Sequence, residues 1–343
     1  MQISLAPMEG VIDFPMRRLL TDLGGYDRCV TEFVRVTDVL LPERVFFRLC
    51  PELKEGSVTR NGTPVFVQLL GGQAEPMAKN AVRAVEMGAA GIDLNFGCPA
   101  KTVNRSDGGS VLLRSPERVH RIVAAVRDAV DPAIEVHAKV RLGYENTENF
   151  DEVAAGIESA GATALCIHAR TRKQGYKPPA HWGRVASFGQ SCQRMRLTIN
   201  GDIWTPMDAK NALLDSNCAH LMFGRSALSC PDLALRVRAV REGRPDCAMQ
   251  WPAVLDLVEL QFARSDKQTA RYVGNRTKQW LAYLKRNYAG AQLLFERIKR
   301  LHDTRDFIAA FDTHRRLDLH DEMCRVMPDS ATLLFAREDF GKI

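Results

Sequence analysis

Short β-rich apolar runs recur along the first two-thirds of the chain, each followed by a stretch with helical spacing of its apolar positions. The runs Ile3–Ala6, Arg28–Thr31, Val65–Leu69, Gly91–Leu94, Val136–Val140, Ala164–His168, Leu197–Asn200 and His220–Phe223 predict eight strands. Between them the pattern predicts helices over Glu75–Met87, Pro116–Ala129, Asn149–Ala160, Pro206–Leu214 and Asp232–Glu242. Pro116 suits the first position of its helix, and Ser115 is the candidate N-cap. Eight such alternations over roughly 240 residues imply an α/β fold, a (β/α)8 TIM barrel. An open doubly wound sheet is the alternative, but no G-x-G-x-x-G follows the first strand.

The alternation stops after Glu242-Gly243-Arg244-Pro245, and from Trp251 onward the pattern is helical only. The chain is therefore expected to divide into a barrel over 1–243 and a smaller all-α helical-bundle domain over 250–343. In the clearest helix of the tail, Val273, Thr277, Trp280, Leu281, Leu284 and Tyr288 form a core-facing stripe. Tyr272, Arg276, Gln279 and Tyr283 line an adjacent edge.

Composition narrows the class. The 343 residues, 45% hydrophobic and 26% charged, suffice for a barrel core plus a second domain. The N-terminus runs directly into a strand, and no apolar stretch has membrane-spanning length. Nine cysteines without a C-x-x-C pair argue against a disulfide framework or a zinc site, so no metal is expected and the cytoplasm is the expected compartment. The net charge of +6 is unevenly spread. Arg264 to Arg305 carries eleven Lys and Arg against three Asp and Glu, a balance of +8 that leaves −2 for the rest of the chain. With Tyr272, Trp280, Tyr283 and Tyr288 interleaved, this segment reads as a nucleic-acid surface.

A barrel displays its chemistry just past the C-terminal ends of its strands. The residues there are Pro7-Met8-Glu9, Glu32 with Arg35, Gln68, Asn95 with Cys98, Lys139 with Arg141, His168, Asn200-Gly201-Asp202 and Gly224-Arg225. The last two groups, after strands seven and eight, fit a phosphate held by backbone N–H groups and an arginine fork. A phosphorylated cofactor and a phosphosugar satisfy that pattern equally. Lys139 at mid-barrel favours a flavin, whose reduced ring carries negative charge near N1 and O2, with Gln68 at the ring's amide-like edge.

In that order, Leu5-Ala6-Pro7-Met8-Glu9-Gly10, Asp93-Leu94-Asn95-Phe96-Gly97-Cys98-Pro99, Lys139-Val140-Arg141, His168-Ala169-Arg170-Thr171, Asn200-Gly201-Asp202 and Gly224-Arg225 resemble the tRNA-dihydrouridine synthases, over the whole length of the chain. Thr31-Glu32-Phe33-Val34-Arg35-Val36, Pro99-Ala100-Lys101-Thr102-Val103-Asn104 and Lys278-Gln279-Trp280-Leu281 are similar to one bacterial branch, designated C and associated with the D-loop uridine at position 16. The sequence departs from the family's habit at Arg105, Asp107, Ala169 and Ser226.

The resemblance implies FMN at the barrel mouth, touched by Pro7, Met8, Glu9, Gln68, Lys139, His168, Asn200, Gly201, Asp202, Gly224 and Arg225, with NADPH as reductant. It implies reduction of a tRNA uridine to 5,6-dihydrouridine, with hydride passing from flavin N5 to C6 and a proton from Cys98 to C5. Asn95 orients the base. The uridine must be extruded from tRNA to reach the pocket. Arg35, Asn95, Arg141, Tyr176, Tyr272, Arg276, Lys278, Gln279 and Phe295 are expected along a tRNA path at the D-loop and elbow, and the protein is expected to act as a monomer. Two rival readings stand beside this one: a flavin reductase of a free pyrimidine or small enone, and a non-catalytic tRNA-binding scaffold.

Overall fold

The structure, a computed structural model, describes residues 1–265 and 272–316; parts of the expected helical domain, 266–271 and 317–343, lie outside the described residues. Two compact units divide the chain at Gly224/Arg225.

The first unit, Met1–Gly224, alternates strand and helix. Its elements are β1 (Ile3–Leu5), α1 (Phe14–Asp22), β2 (Arg28–Val30), β3 (Val34–Arg35), α2 (Glu43–Leu49), β4 (Val65–Leu70), α3 (Ala74–Glu86), β5 (Gly91–Phe96), α4 (Lys101–Arg105) and α5 (Pro116–Ala129). They continue as β6 (Glu135–Arg141), α6 (Phe150–Ser159), β7 (Ala164–His168), α7 (Ala186–Ser191), β8 (Arg196–Asn200), α8 (Pro206–Ser216) and β9 (His220–Phe223). The strands are parallel in the order β2-β1-β9-β8-β7-β6-β5-β4-β3, and pairing of β2 with β4 closes eight of them into the expected TIM barrel.

β2 and β3 are two pieces of one barrel stave. β2 pairs Val30 with Phe66, and β3 pairs Val34 with Leu69, both on β4. Thr31–Phe33 interrupts the stave, so that Glu32 accepts the Gly10 N–H at 2.5 Å while the Thr31 hydroxyl accepts the Gln68 N–H at 3.0 Å.

Alternation along the strands fills the interior in layers. Ala6, Val30, Phe66, Cys166 and Met222 make a buried apolar layer. Nearer the N-terminal ends of the strands, Glu135 binds Arg28 at 2.9 Å, Arg196 at 2.5 Å and His137 at 2.9 Å. The Arg28 guanidinium stacks 4.3 Å from the Phe66 ring centroid. These groups stopper the barrel from below. The outer helices turn one stripe inward, as with Val119, Ile122, Val123 and Val126 on α5. Pro116 opens α5 as expected, but Ser115 makes no side-chain capping bond. α8 carries the full reciprocal cap, Thr205 with Asp208.

The second unit begins with α9 (Arg225–Ser229) and α10 (Leu233–Arg241) and continues through α11 (Trp251–Ser265), α12 (Asn275–Leu284), α13 (Ala289–Ile298) and α14 (Thr304–Arg316). The Trp280 indole donates to Leu228 O at 2.9 Å, and Asn287 donates to Ser229 O at 2.9 Å. These bonds tie α9 to the later helices, so the unit starts well before the Pro245 turn. The whole stripe Val273, Thr277, Trp280, Leu281, Leu284 and Tyr288 is buried.

Candidate active site

Asp93 and Asn95, two residues apart on β5, share one face of the strand. Past Phe96 the chain turns through Gly97, Cys98 and Pro99, and Asn95 Oδ1 accepts the N–H groups of Gly97 at 3.0 Å and Cys98 at 2.9 Å. The Cys98 carbonyl accepts Asn104 Nδ2 at 2.9 Å, the Ser110 hydroxyl at 2.8 Å and the Ser110 N–H at 3.1 Å. Gly109 stands behind it at φ 68°, where a Cβ would lie 2.9 Å from that carbonyl oxygen. Only glycine fits both the left-handed backbone and the space. The Cys98 backbone is thus held from both sides of its side chain.

The floor of the site is a set of amides and one cation. Gln68 Nε2 donates to Asp93 Oδ1 at 2.6 Å, and Asn95 Nδ2 donates to Gln68 Oε1 at 2.8 Å. Lys139 pairs in register with Asn95 and donates to Asn200 Oδ1 at 3.2 Å; Asn200 Nδ2 donates to Met222 O at 2.8 Å. Burial lifts the Asp93 carboxyl to about 6, against the Gln68 hydrogen bond and the charges of Lys139 and Arg28.

A second network flanks it. Arg170, fully buried, ion-pairs with Asp202, donates from Nε to Lys177 O at 2.7 Å and places Nη1 3.3 Å from His168 Nε2. A guanidinium only donates, so in this contact His168 Nε2 is the acceptor. Arg141, also buried, donates to Gly97 O at 2.9 Å and Gly175 O at 2.8 Å, with its guanidinium 5.2 Å from the Tyr176 ring. Tyr176, 53% exposed, lies 6.0 Å from the His168 ring.

These groups suit a flavin. One lysine among neutral amides can meet a ring that gains negative charge, and the only carboxylate on the amide floor, Asp93, is already bonded to Gln68. A Cβ on Gly201, at φ 111°, would sit 2.9 Å from His168 Cδ2, and one on Gly224 would sit 3.4 Å from Met8 Sδ. Pro7 and Met8 are half-buried and Glu9 is exposed in the turn that follows β1, where Met8 O accepts the Val11 and Ile12 N–H groups. The Asp202 carboxylate is occupied by Arg170 and the Ala180 N–H. Arg225 follows Gly224 directly and opens α9.

Burial pushes the Cys98 thiol above its ordinary range; the Ala100 N–H and the charges of Arg141 and Arg35 pull it back by less. It is protonated at neutral pH and able to give that proton up.

Of the expected tRNA contacts in the first unit, Arg35 is exposed at the end of β3. In the second unit, Tyr272 is 49% exposed, Arg276 donates to Gln279 Oε1 at 3.2 Å, and the Phe295 ring lies beneath Lys285 at 5.3 Å. Lys278 turns inward, donating to Leu301 O at 2.6 Å with its ammonium 5.4 Å from the Phe307 ring. Sequence reasoning gave no role to Asp93, Arg170, Asn104 or Ser110. The period-two spacing of Asp93 and Asn95 was the available signal for the first.

The closed parallel barrel, with a protonated thiol at one strand end and a lysine–amide floor, defines a TIM-barrel oxidoreductase. Residues 4–314 match the family described as dihydrouridine synthase (Dus). The tRNA-dihydrouridine(16) synthase of Cupriavidus necator is 45% identical over 304 residues, covering 88% of this chain and 94% of that protein. The enzyme of the same name from Aquipseudomonas alcaligenes is 47% identical over 307 residues, with 88% and 96% covered. Among solved structures, a 2-naphthoyl-CoA reductase complex shares the fold at a TM-score of 0.53 and 14% identity, over 71% of this chain and 50% of its own. The chain belongs to the dihydrouridine synthase family, whose members are flavin-dependent oxidoreductases.

Proposed function

We propose that this chain reduces the D-loop uridine at position 16 of tRNA to 5,6-dihydrouridine, as the C branch of the family, with FMN as the flavin and NADPH as the reductant. The relatives at about 45% identity carry position 16 in their names. The single observation that carries the chemistry is the Cys98 turn clamped by the Asn95 carboxamide, with Lys139 in register next to it.

FMN, when bound, supplies the hydride for C6 of the uracil ring. Pro7, Met8, Glu9, Gln68, Lys139, His168, Asn200, Gly201, Asp202, Gly224 and Arg225 would hold it, with Lys139 balancing charge at the ring. Hydride addition at C6 builds negative charge toward C5 and O4, and Cys98 relieves it by giving its proton to C5. Asn95 orients the base and helps to hold the developing oxyanion.

Arg35, Arg141 and Tyr176 of the first unit, and Tyr272, Arg276, Lys278, Gln279 and Phe295 of the second, are the proposed tRNA contacts. Arg141 acts there by holding the Gly97 and Gly175 carbonyls, and Lys278 by bracing the Leu301 carbonyl, rather than as bare charges. Among the described residues no helix is long and apolar enough to cross a membrane. We place the protein in the cytoplasm with its tRNA, acting as a monomer.

The test is to map dihydrouridine in tRNA from cells lacking the protein and to restore it with purified enzyme and NADPH. Loss and recovery at position 16 alone is the expected result. Efficient turnover of free uridine would favour the small-enone reductase, and tRNA binding without NADPH oxidation would favour the scaffold.

A further inference from the structure

We propose that Asp93 is a positioning residue of the site: its carboxylate fixes which way the Gln68 and Asn95 amides face, and through them holds the backbone of Cys98. The kinetic part of this inference rests on the uridine reduction proposed above; the structural part does not.

An amide side chain has two ends of nearly equal shape, and hydrogen bonding alone decides how it sits. An ionised carboxylate offers acceptors only, so Gln68 must turn Nε2 toward Asp93, at 2.6 Å. Gln68 Oε1 then faces outward along the row and meets Asn95 Nδ2 at 2.8 Å. Asn95 Oδ1 is left for the Gly97 and Cys98 N–H groups, at 3.0 and 2.9 Å, which can only donate. Every bond from Cys98 inward therefore donates toward the same buried charge, an arrangement in which each bond strengthens the next. The row also settles which amide atoms Gln68 and Asn95 turn to the barrel mouth.

The placement is costly for the fold, and the carboxylate's hydrogen bond goes to the Gln68 amide. Asp93 is 1% exposed, and it lies beside the apolar layer of the barrel rather than at the rim. A carboxamide at this position would avoid burying a charge. It would also let Gln68 present either end, because it both donates and accepts. A buried carboxylate at the end of a row of amides that leads to the thiol loop is thus explained by control of amide polarity.

The test uses the intact protein, with and without flavin, as wild type, Asp93→Asn, Gln68→Leu and the double variant. Amide hydrogen exchange, read peptide by peptide, follows the Gly97 and Cys98 N–H groups; iodoacetamide labelling follows Cys98. In Asp93→Asn, exchange at these two amides should rise about tenfold, the loss of roughly one hydrogen bond. Turnover on tRNA should fall about 10–100-fold with KM for tRNA little changed, the mark of misplaced reacting groups. Gln68→Leu should loosen the same amides, and Asp93→Asn should add nothing in its background. Wild-type exchange at Gly97 and Cys98 in Asp93→Asn, or additive effects in the double variant, would overturn the inference. If Asp93→Asn does not fold, Gln68→Leu decides: unchanged exchange at those amides overturns the inference. A wild-type enzyme that leaves tRNA uridine untouched would sink the functional reading alone, since the exchange comparison still judges Asp93.

Discussion

In the proposed reaction, Cys98 acts as an ordinary acid kept in place. Burial raises its thiol, so the sulfur stays protonated across the physiological range and needs no partner base. Replacing it with serine or alanine removes a usable proton, and tRNA reduction should slow by about 10²–10⁴-fold while NADPH still bleaches the flavin. Single-turnover mixing of the reduced enzyme with tRNA reads this directly; a loss under about threefold would assign the proton to another group. Asp93 shows the opposite compromise. Its carboxyl is lifted to about 6, so its ionised form penalises the fold above that pH, and the penalty fades as pH falls through 6 toward the ordinary carboxyl value of 3.8. Asp93→Asn should therefore be more stable than wild type at neutral pH, by on the order of 1–3 kcal/mol, with the gain largely gone by about pH 4. Urea unfolding across that range checks the sign. A slower enzyme that is harder to unfold is the combination expected of a residue retained for the site.

Among the elements, the turn after β5 carries the most constraint per residue. Gly109→Ala asks for a Cβ at φ 68° and 2.9 Å from the Cys98 carbonyl. It should cost about 1–3 kcal/mol and displace the thiol, lowering both the melting temperature and kcat; a variant with wild-type turnover would show the turn to be more yielding than its packing implies. The strands themselves were legible in the chain because each is a short buried run between helical stretches, and Ala164–His168 and His220–Phe223 match the expected limits. β5 and β6 run further than expected, to Phe96 and Arg141, because Asn95 and Phe96 stay paired with Lys139 and Val140, and Arg141 with His168. β3 escaped notice as a two-residue piece whose meaning depends on its register with β4. Gln68, Asn95, Lys139 and Asn200 were readable as a group because each lies at or within three residues of the C-terminal end of its strand. Asp93 was hidden inside an apolar run, and the inward turn of Lys278 depends on Leu301 and Phe307, which no local pattern relates to it.

At the scale of the whole molecule, charge and architecture separate two tasks. The positive excess lies in Arg264–Arg305, within the second unit, while the first unit holds the thiol and the amide floor. Affinity for tRNA should fall steeply with added salt, the log–log slope approaching about −0.7 to −0.9 per phosphate neutralised. Filter binding between low and physiological salt measures it, and a flat response would take the basic helices out of the interaction. The stoppered barrel has a kinetic consequence of its own. Glu135 with its two arginines and His137 fills the lower end, and the Phe66 and Met222 layer fills the middle, so the proposed site opens at the C-terminal ends of the strands. In the proposed reaction, reductant and nucleic acid would both approach from that side and take turns at the flavin. Initial rates with both varied should give parallel double-reciprocal lines, the ping-pong pattern of a courier that empties its hands before each new load.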